Sequence, residues 1–416
     1  MSCIQIFPSS CRDRERERES KLARWFSKTF FFVLFLLLGF NQVVSPVFAA
    51  TLTGISYSPS GSVVGTFVAA NNTTFTVFTP ITAVTSGSTI TLTFPSGTTL
   101  TTGNIATTDF TITQAAQGLC TSAGSDTTPS AISANATNRT ITLTAASGSL
   151  SRTVALAACG LGVITIKTSG TAGGNEIQHP TTTTTTATFQ VDTSVGDTGS
   201  ISTVSFVPAA AANLRVTGTG TMTVATTNEL TVTAYDQYGN TVSSGANNYT
   251  GSKSLTLSGP GNAPNGTQPT VEGTNIGSAT SITFTNGVSN ANAATLTAYK
   301  AETTTVDVSD GSINSTGDAS YDLDLTASPG ALNDFTLTTQ NSQTETAGTA
   351  FNVTATARDA QQNTKTDYSG ATSVVWTWTA TTSPDGSSPS KPSDGDETFT
   401  SGAMTKSGFT LVDAGE

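Results

Sequence analysis

The sequence has one histidine, four cysteines, three tryptophans and few charged residues. Only 11% of its 416 residues are charged, where an ordinary domain carries roughly a quarter. A nucleic-acid-binding surface is not expected, because phosphate neutralisation needs clusters of Lys and Arg. One His leaves no His-rich metal site and no second His for acid–base chemistry. Low charge and 38 glycines also disfavour coiled coils and helical bundles.

Enzyme motifs are missing from the sequence. It contains no GxSxG, HExxH or phosphate-binding Gly loop. His179 precedes Pro180 in a Thr-rich segment and has no evident Ser/Asp partner arrangement. We therefore predict that the chain is not an enzyme.

The first 50 residues have the pattern of a secretory leader. Seven basic residues precede an apolar run of eleven at 30–40, and small residues follow at Ala49 and Ala50. At about 1.5 Å per residue the run covers roughly 16 Å, too short for a bilayer core of about 30 Å. An uncleaved anchor extended through Val43 and Val44 is the alternative, but Asn41, Gln42 and Pro46 disfavour it. We predict export, with no membrane span after signal cleavage.

The remainder is acidic, with ten basic and 24 acidic residues after position 28, a net charge of −14. These charges are spread out, which indicates a soluble exported surface; scattered carboxylates that bind divalent cations are the alternative. Cys120 and Cys159 remain after the leader. In an exported protein they predict one disulfide, which would close a loop of about 40 residues and contribute roughly 3–4 kcal/mol. Two buried free thiols are the alternative.

From Thr51 onward the sequence has short runs that alternate apolar and polar residues. Examples are residues 89–94 (TITLTF), 140–144 (TITLT) and 163–167 (VITIK), separated by turn-forming residues. Period two with β-branched residues predicts strands with one buried face. Short strands at close intervals are typical of a sandwich or barrel. We predict an all-β fold of tandem sandwiches.

The second half contains an internal repeat. Residues 230–240 (LTVTAYDQYGN) match residues 353–363 (VTATARDAQQN), so Asp236 and Asp359 are 123 positions apart, as are Asn240 and Asn363. Further matched pairs lie upstream and downstream. The second copy stops near the point that matches Glu302 in the first, so we expect its closing strands to follow residue 416 in a longer product. The predicted organisation is a leader at 1–50, a sandwich at 51–195, and repeats at 196–328 and 329–416.

The turn at residues 234–242 (AYDQYGNTV) resembles the immunoglobulin-like modules of bacterial surface proteins of the invasin/intimin type. The shared feature is a strand that ends in Asp, two variable residues, Gly-Asn and a new strand. Asp236 can cap backbone N–H groups, and Gly239 can adopt positive φ. In the second copy Gln361-Gln362 replaces Tyr238-Gly239; Gln in a left-handed conformation costs about 1 kcal/mol, so we expect another turn form there. The resemblance covers residues 200–416 and implies β-sandwiches, export, and a spacer or adhesive role.

Two groups of side chains are candidate sites. Asp394, Asp396 and Glu397 form the tightest acidic cluster and are candidates for a structural calcium ion, with a solvated loop as the alternative. Trp376 and Trp378 share one face of a strand, as in a carbohydrate platform, but Trp376 aligns with Leu257 and is better explained as a core residue.

The sequence as a whole favours an exported cell-surface or extracellular protein with a structural or adhesive role, as a stalk or in a surface layer. Its partners would be cell-envelope polymers, polysaccharide, or the surface of a host or neighbouring cell. The alternative is a non-catalytic accessory or carbohydrate-binding region of a larger secreted enzyme.

Overall fold

The computed structural model describes residues 52–58, 62–67, 73–78, 87–113, 128–146, 162–166 and 177–414. These residues form 28 β-strands, two short 3-10 turns (Thr102–Asn104 and Thr107–Asp109) and no α-helix. The strands are arranged as three successive modules, each with its own hydrophobic core. The predicted all-β class of tandem sandwiches is confirmed. The leader and the predicted Cys120–Cys159 disulfide lie outside the described residues.

Module 1 comprises residues 52–207. Its strands are β1 Thr53–Ser58, β2 Thr73–Phe78, β3 Thr89–Thr93, β4 Thr99–Leu100, β5 Phe110–Thr113, β6 Ala131–Asn135, β7 Thr140–Thr144, β8 Gly162–Ile166, β9 Ile177–Gln178, β10 Thr184–Thr193 and β11 Thr198–Phe206. Two antiparallel sheets, in the orders β1-β2-β8-β5 and β11-β10-β3-β7-β6, make up the sandwich. Phe189 stacks on Tyr57 across the core, with 4.7 Å between the ring centroids.

The first module extends further along the chain than the predicted boundary at residue 195. Strand β11 pairs with β10, and Val204 and Phe206 are buried in the same core as Phe189. Residue 195 therefore lies in the turn between two paired strands. A strand that closes one module has the same alternation as a strand that opens the next, so the pattern alone did not separate them. We place the boundary at Pro208.

Module 2 comprises residues 208–328. Its strands are β12 Ala211–Thr217, β13 Thr221–Thr223, β14 Thr227–Glu229, β15 Thr231–Asp236, β16 Gly251–Ser258, β17 Thr270–Val271, β18 Thr274–Asn275, β19 Ala279–Thr285, β20 Val288–Ser289, β21 Thr295–Thr297, β22 Glu302–Ser309 and β23 Leu323–Ser328. The main sheet has the order β12-β15-β20-β19-β16-β22-β23-β13. Its first strand, β12, also bonds the segment before β23, since the Val216 N–H donates to the Tyr321 carbonyl at 2.8 Å. A small sheet, β14-β21-β17-β18, accompanies it.

Modules 1 and 2 close in the same way. Strand β13 pairs in parallel with β23, and the Val224 N–H donates to the Ser328 carbonyl at 2.9 Å. In module 1 Val63 makes a parallel bridge with Val207. Parallel pairing of an early segment with the last strand ties the ends of each module together. The last strand then leads directly to Pro208 or Pro329 and the next module.

Module 3 begins at Pro329. Its strands are β24 Leu332–Thr339, β25 Phe351–Asp359, β26 Gly370–Val374, β27 Gly395–Phe399 and β28 Ala403–Phe409, paired as β24-β25-β28 and β26-β27. Leu332 lies opposite Asp359 and Phe335 opposite Ala357, with a bulge between them. Module 2 has the same register and bulge in its β12–β15 pair. The repeat seen in the sequence is therefore a structural repeat.

One apolar face differs between the two repeats. Leu214 and Val216 on β12 are fully buried in a core that includes Val306, Val308 and Leu325 of β22 and β23. Their counterparts on β24, Phe335 and Leu337, are 42% and 53% exposed. They line an open cavity of about 340 Å³ together with Tyr368 and Trp376.

Candidate functional site: the module junctions

Each repeat contains a strand, β15 or β25, that ends in a buried aspartate, and this aspartate caps the turn that follows. Asp236 is 0% exposed and Asp359 is 1% exposed. Asp236 Oδ1 accepts hydrogen bonds from the backbone N–H groups of Tyr238 and Asn240, each at 2.9 Å. Asp359 Oδ1 accepts the equivalent bonds, also at 2.9 Å. The capping role expected for these aspartates is what the structure shows.

The two turns have the same form despite their different sequences. Gly239 has φ of 82° and Gln362 has φ of 64°. The Gly239 N–H bonds to the Asp236 carbonyl at 3.1 Å, and the Gln362 N–H bonds to the Asp359 carbonyl at 3.0 Å. The expectation of another turn form in the second copy was wrong. The aspartate cap holds the turn, so Gln362 adopts the left-handed conformation at a cost of about 1 kcal/mol.

The same aspartates also fix the start of each module. The other carboxylate oxygen, Oδ2, accepts the backbone N–H of Ala209 at 3.0 Å in module 2 and that of Gly330 at 2.9 Å in module 3. Ala209 and Gly330 each follow the proline that links two modules. Each carboxylate thus binds the turn and the link together, and three backbone N–H groups share one buried charge.

Asn240 and Asn363 connect each turn to the preceding module. Asn240 Nδ2 donates to the Thr181 carbonyl at 2.7 Å, and Asn240 Oδ1 accepts the Thr183 N–H at 3.2 Å. Asn363 makes the equivalent bonds with the Tyr299 carbonyl at 2.8 Å and the Ala301 N–H at 2.9 Å. Sequence reasoning missed this role. The spacing of 123 between the two asparagines showed that the position repeats, but it did not indicate a partner.

A second contact at each junction uses the variable residues of the turn. Tyr238 packs against the core of module 1, and its hydroxyl lies 3.5 Å from the Gly65 carbonyl. A Cβ on Gly65 would lie only 2.1 Å from the Tyr238 hydroxyl oxygen, so the contact requires glycine there. At the next junction Gln361 Oε1 accepts a hydrogen bond from Asn265 Nδ2 at 3.0 Å.

His179 lies beside the first junction. It is 1% exposed, its ring centroid lies 5.1 Å from that of Phe206, and its Nδ1 is 3.1 Å from the Thr66 hydroxyl. Within the described residues its Nε2 is buried without a hydrogen-bond partner. Burial lowers the pKa of His179, and the Val63 carbonyl partly offsets that shift. The ring is therefore a packed, neutral core residue.

The predicted acidic cluster does not converge on one point. Asp394 Oδ1 accepts the Trp376 backbone N–H at 2.9 Å, and this bond, aided by Lys391, holds the pKa of Asp394 below its usual value. Glu397 pairs with Lys406 at 2.5 Å. Asp396 lies on β27, opposite Ser373. Across the described part of the chain, no three His, Cys, Asp or Glu side chains are grouped to hold a metal ion.

The two tryptophans belong to the interior of module 3. Trp376 is 8% exposed and packs edge-on against Phe409, with 5.0 Å between the centroids. Trp378 is partly buried against the same core. The interpretation of Trp376 as a core residue agrees with this burial.

Module 1 has a polar cleft of about 470 Å³. Hydroxyl and amide side chains line it, including Thr93, Thr184 and Gln190, together with Arg139. Arg139 has φ of 57°, and within the described residues its Nε is buried without a hydrogen-bond partner. Sequence reasoning did not locate this cleft.

The fold and the junctions define a protein of tandem β-sandwich modules that are hydrogen-bonded end to end. Among the described residues, no helix has the length and apolar character needed to span a membrane. No protein-family model matches the chain, and no curated protein matches it.

Several solved structures are similar to this chain. One is invasin, titled a bacterial integrin-binding protein. It is 11% identical to this chain, the match covers 85% of this chain and 54% of that chain, and the TM-score is 0.28. Another is the adhesin InvE of Yersinia pseudotuberculosis. It is 12% identical, the match covers 73% of this chain and 66% of that chain, and the TM-score is 0.21. A third is a Corynebacterium diphtheriae protein described as membrane anchored. It is 12% identical, the match covers 86% of this chain and 83% of that chain, and the TM-score is 0.20. The chain spans about half the length of the invasin chain. The similarity concerns the fold alone.

Proposed function

We propose that this chain is an exported surface protein whose modules form a stiff structural or adhesive spacer. The supporting observation is that the same hydrogen bonds recur at two successive junctions, through Asp236 and Asn240 and through Asp359 and Asn363. Domains joined by an ordinary linker move relative to one another. A one-proline link, a buried carboxylate and a two-point amide contact oppose that motion.

The predicted leader and the spread acidic charge of the remainder support export and a location at the cell surface or outside the cell. The partners that fit such a spacer are cell-envelope polymers, polysaccharide, or the surface of a host or neighbouring cell. Contacts would come from loops at the ends of the sandwiches or from sheet faces, as in other sandwich proteins.

The test of this proposal is surface labelling of intact source cells with an antibody raised against module 2. The expected result is labelling without permeabilisation and loss of the signal after protease treatment of whole cells. An intracellular marker protein should resist the same treatment. Labelling that appears only after permeabilisation would overturn the proposal.

The module 1 cleft favours the alternative, a carbohydrate-binding accessory region. Hydroxyl, amide and guanidinium groups around one concave surface suit a polyhydroxylated or acidic polymer. Affinity electrophoresis of the chain in neutral and acidic polysaccharides tests this. Retardation that Arg139→Ala abolishes would support the alternative, and unchanged mobility in every gel would reject it.

A further inference from the structure

We propose that Asn240 and Asn363 recognise the backbone of the preceding module as a peptide group does in a parallel β-ladder, so that these hydrogen bonds are independent of that module's side chains at the bonded positions. The inference deepens the proposed spacer role and rests on it. It identifies the partner of each turn as a backbone segment that offers a carbonyl and, two residues later, an N–H.

The positions of the partner atoms carry this inference. Asn240 binds the carbonyl of residue 181 and the N–H of residue 183; Asn363 binds the carbonyl of residue 299 and the N–H of residue 301. In a parallel ladder one residue bonds the two residues that flank its partner in this way. The asparagine amide has one acceptor oxygen and N–H donors, as a peptide group has. Thr182 and Lys300 are the flanked residues.

The two receiving segments have no side chain in common at the bonded positions. Thr181 and Thr183 receive Asn240, whereas Tyr299 and Ala301 receive Asn363. The four hydrogen bonds nevertheless have the same pattern, because all of the partner atoms belong to the backbone. Recognition of this kind constrains the path of the partner segment and leaves its sequence free.

The aspartate of each turn sets the orientation of the amide. Asn240 Nδ2 donates to Asp236 Oδ2 at 3.0 Å as well as to module 1, and Asn363 Nδ2 donates to Asp359 Oδ2 at 2.9 Å. Only an amide whose NH₂ faces the carboxylate can make both bonds, so its oxygen is left facing the partner N–H. Asp236 and Asp359 are positioning residues for the junction.

Independence from side chains predicts that the modules are interchangeable. Deleting residues 209–329 joins Pro208 to Gly330 and presents module 3 to module 1. Asn363 should then bind the Thr181 carbonyl and the Thr183 N–H. Gly65, which has no side chain, leaves space for Gln361 where Tyr238 lies in the natural junction.

The experiment measures distances between spin labels introduced as unnatural amino acids at exposed Ser133 in module 1, Thr283 in module 2 and Thr398 in module 3. In the full chain we expect narrow distance distributions across both junctions.

Asn363→Leu should broaden only the distribution between modules 2 and 3. Asn341→Leu is the matched control, because Asn341 bonds Glu345 within module 3, and it should change neither distribution. The deletion chain should give a narrow distribution that Asn363→Leu broadens.

Each outcome has one meaning. Narrow distributions in the full chain with a broad one in the deletion chain would overturn side-chain independence and leave the stiff spacer standing. A narrow distribution in full-length Asn363→Leu would overturn the role of the asparagine, whether or not the deletion chain folds. Broad distributions across both junctions of the unaltered chain would overturn the proposed spacer itself.

Discussion

Gly239 and Gln362 occupy the same position in two equivalent turns, and both have left-handed backbone conformations, with φ of 82° and 64°. The turn geometry is therefore set by the aspartate cap and not by the residue type at this position. The second turn retains strain that the first does not have, since only glycine adopts positive φ without steric cost.

Gln362→Gly should stabilise module 3. Relief of the left-handed strain of about 1 kcal/mol, reduced by the greater flexibility of glycine in the unfolded chain, leaves a gain of about 0.5 kcal/mol. Urea unfolding of the full chain measures it as a higher midpoint for the module 3 transition. The reciprocal change, Gly239→Gln, should lower the midpoint of module 2 by a similar amount. Equal midpoints for the Gln362→Gly and unaltered chains would contradict the strain.

Asp359→Ala should destabilise module 3 severely. It leaves the backbone N–H groups of Gly330, Gln361 and Asn363 without their acceptor in a buried turn, and we expect a loss of about 3–5 kcal/mol. Asp367→Ala is the control, because that carboxylate is exposed and pairs only with Lys365; its removal should cost about 0.5 kcal/mol or less. Similar unfolding midpoints for the two variants would show that the cap contributes little.

The exposed face of β24 predicts an asymmetry between the repeats. Val216→Thr in module 2 places a hydroxyl in a fully buried core and should cost about 1–3 kcal/mol. Leu337→Thr, at the equivalent position of module 3, changes a side chain that is 53% exposed and should cost about 0.5 kcal/mol or less. Thermal unfolding of both variants tests this. Equal losses would mean that Leu337 is covered in solution.

His179 predicts a pH dependence in module 1. Burial lowers the pKa of His179 below its usual value, so below about pH 6.5 the unfolded chain binds a proton that the folded chain resists. The contribution of His179 to the unfolding free energy should fall as the pH falls from about 6.5 towards the lowered pKa. Above about pH 6.5 this contribution should stay constant. His179→Gln removes this contribution, and the difference in unfolding free energy between the two chains at pH 7 and pH 5 isolates it from the carboxylates. A difference that does not change with pH would contradict the buried neutral ring.

Period-two alternation predicted the β-strands well, because one face of each strand is buried. Residues 89–93 and 140–144 are paired neighbours in one sheet, and β25 alternates buried and half-buried positions along its whole length. The 123-residue spacing of Asp236 and Asp359 also predicted a capping aspartate in each repeat, since a cap requires a particular residue at a particular offset. It did not predict that the two turns have the same form.

Alternation of apolar and polar residues placed the end of module 1 wrongly, at residue 195. It also did not predict the role of the two asparagines. Strands β11 and β23 both end just before a linking proline, Pro208 or Pro329, and these prolines mark the boundaries that alternation did not. The contacts of Asn240 and Asn363 could not be predicted, because their partners are backbone atoms of another module and backbone atoms leave no sequence pattern. The exposure of Leu337 depends on whether other strands cover its face of β24. The alternation within β24 cannot predict that.

Amide hydrogen exchange at Ala301 tests the docking of the modules most directly. The Ala301 N–H belongs to module 2, and its acceptor is Asn363 Oδ1 of module 3, at 2.9 Å. A docked junction predicts slow exchange in the unaltered chain and fast exchange in Asn363→Leu, with the Thr183 N–H of the other junction unchanged. Exchange at Ala301 that is already as fast as in an unstructured peptide would show that the modules are not held together at this point, and would contradict the account.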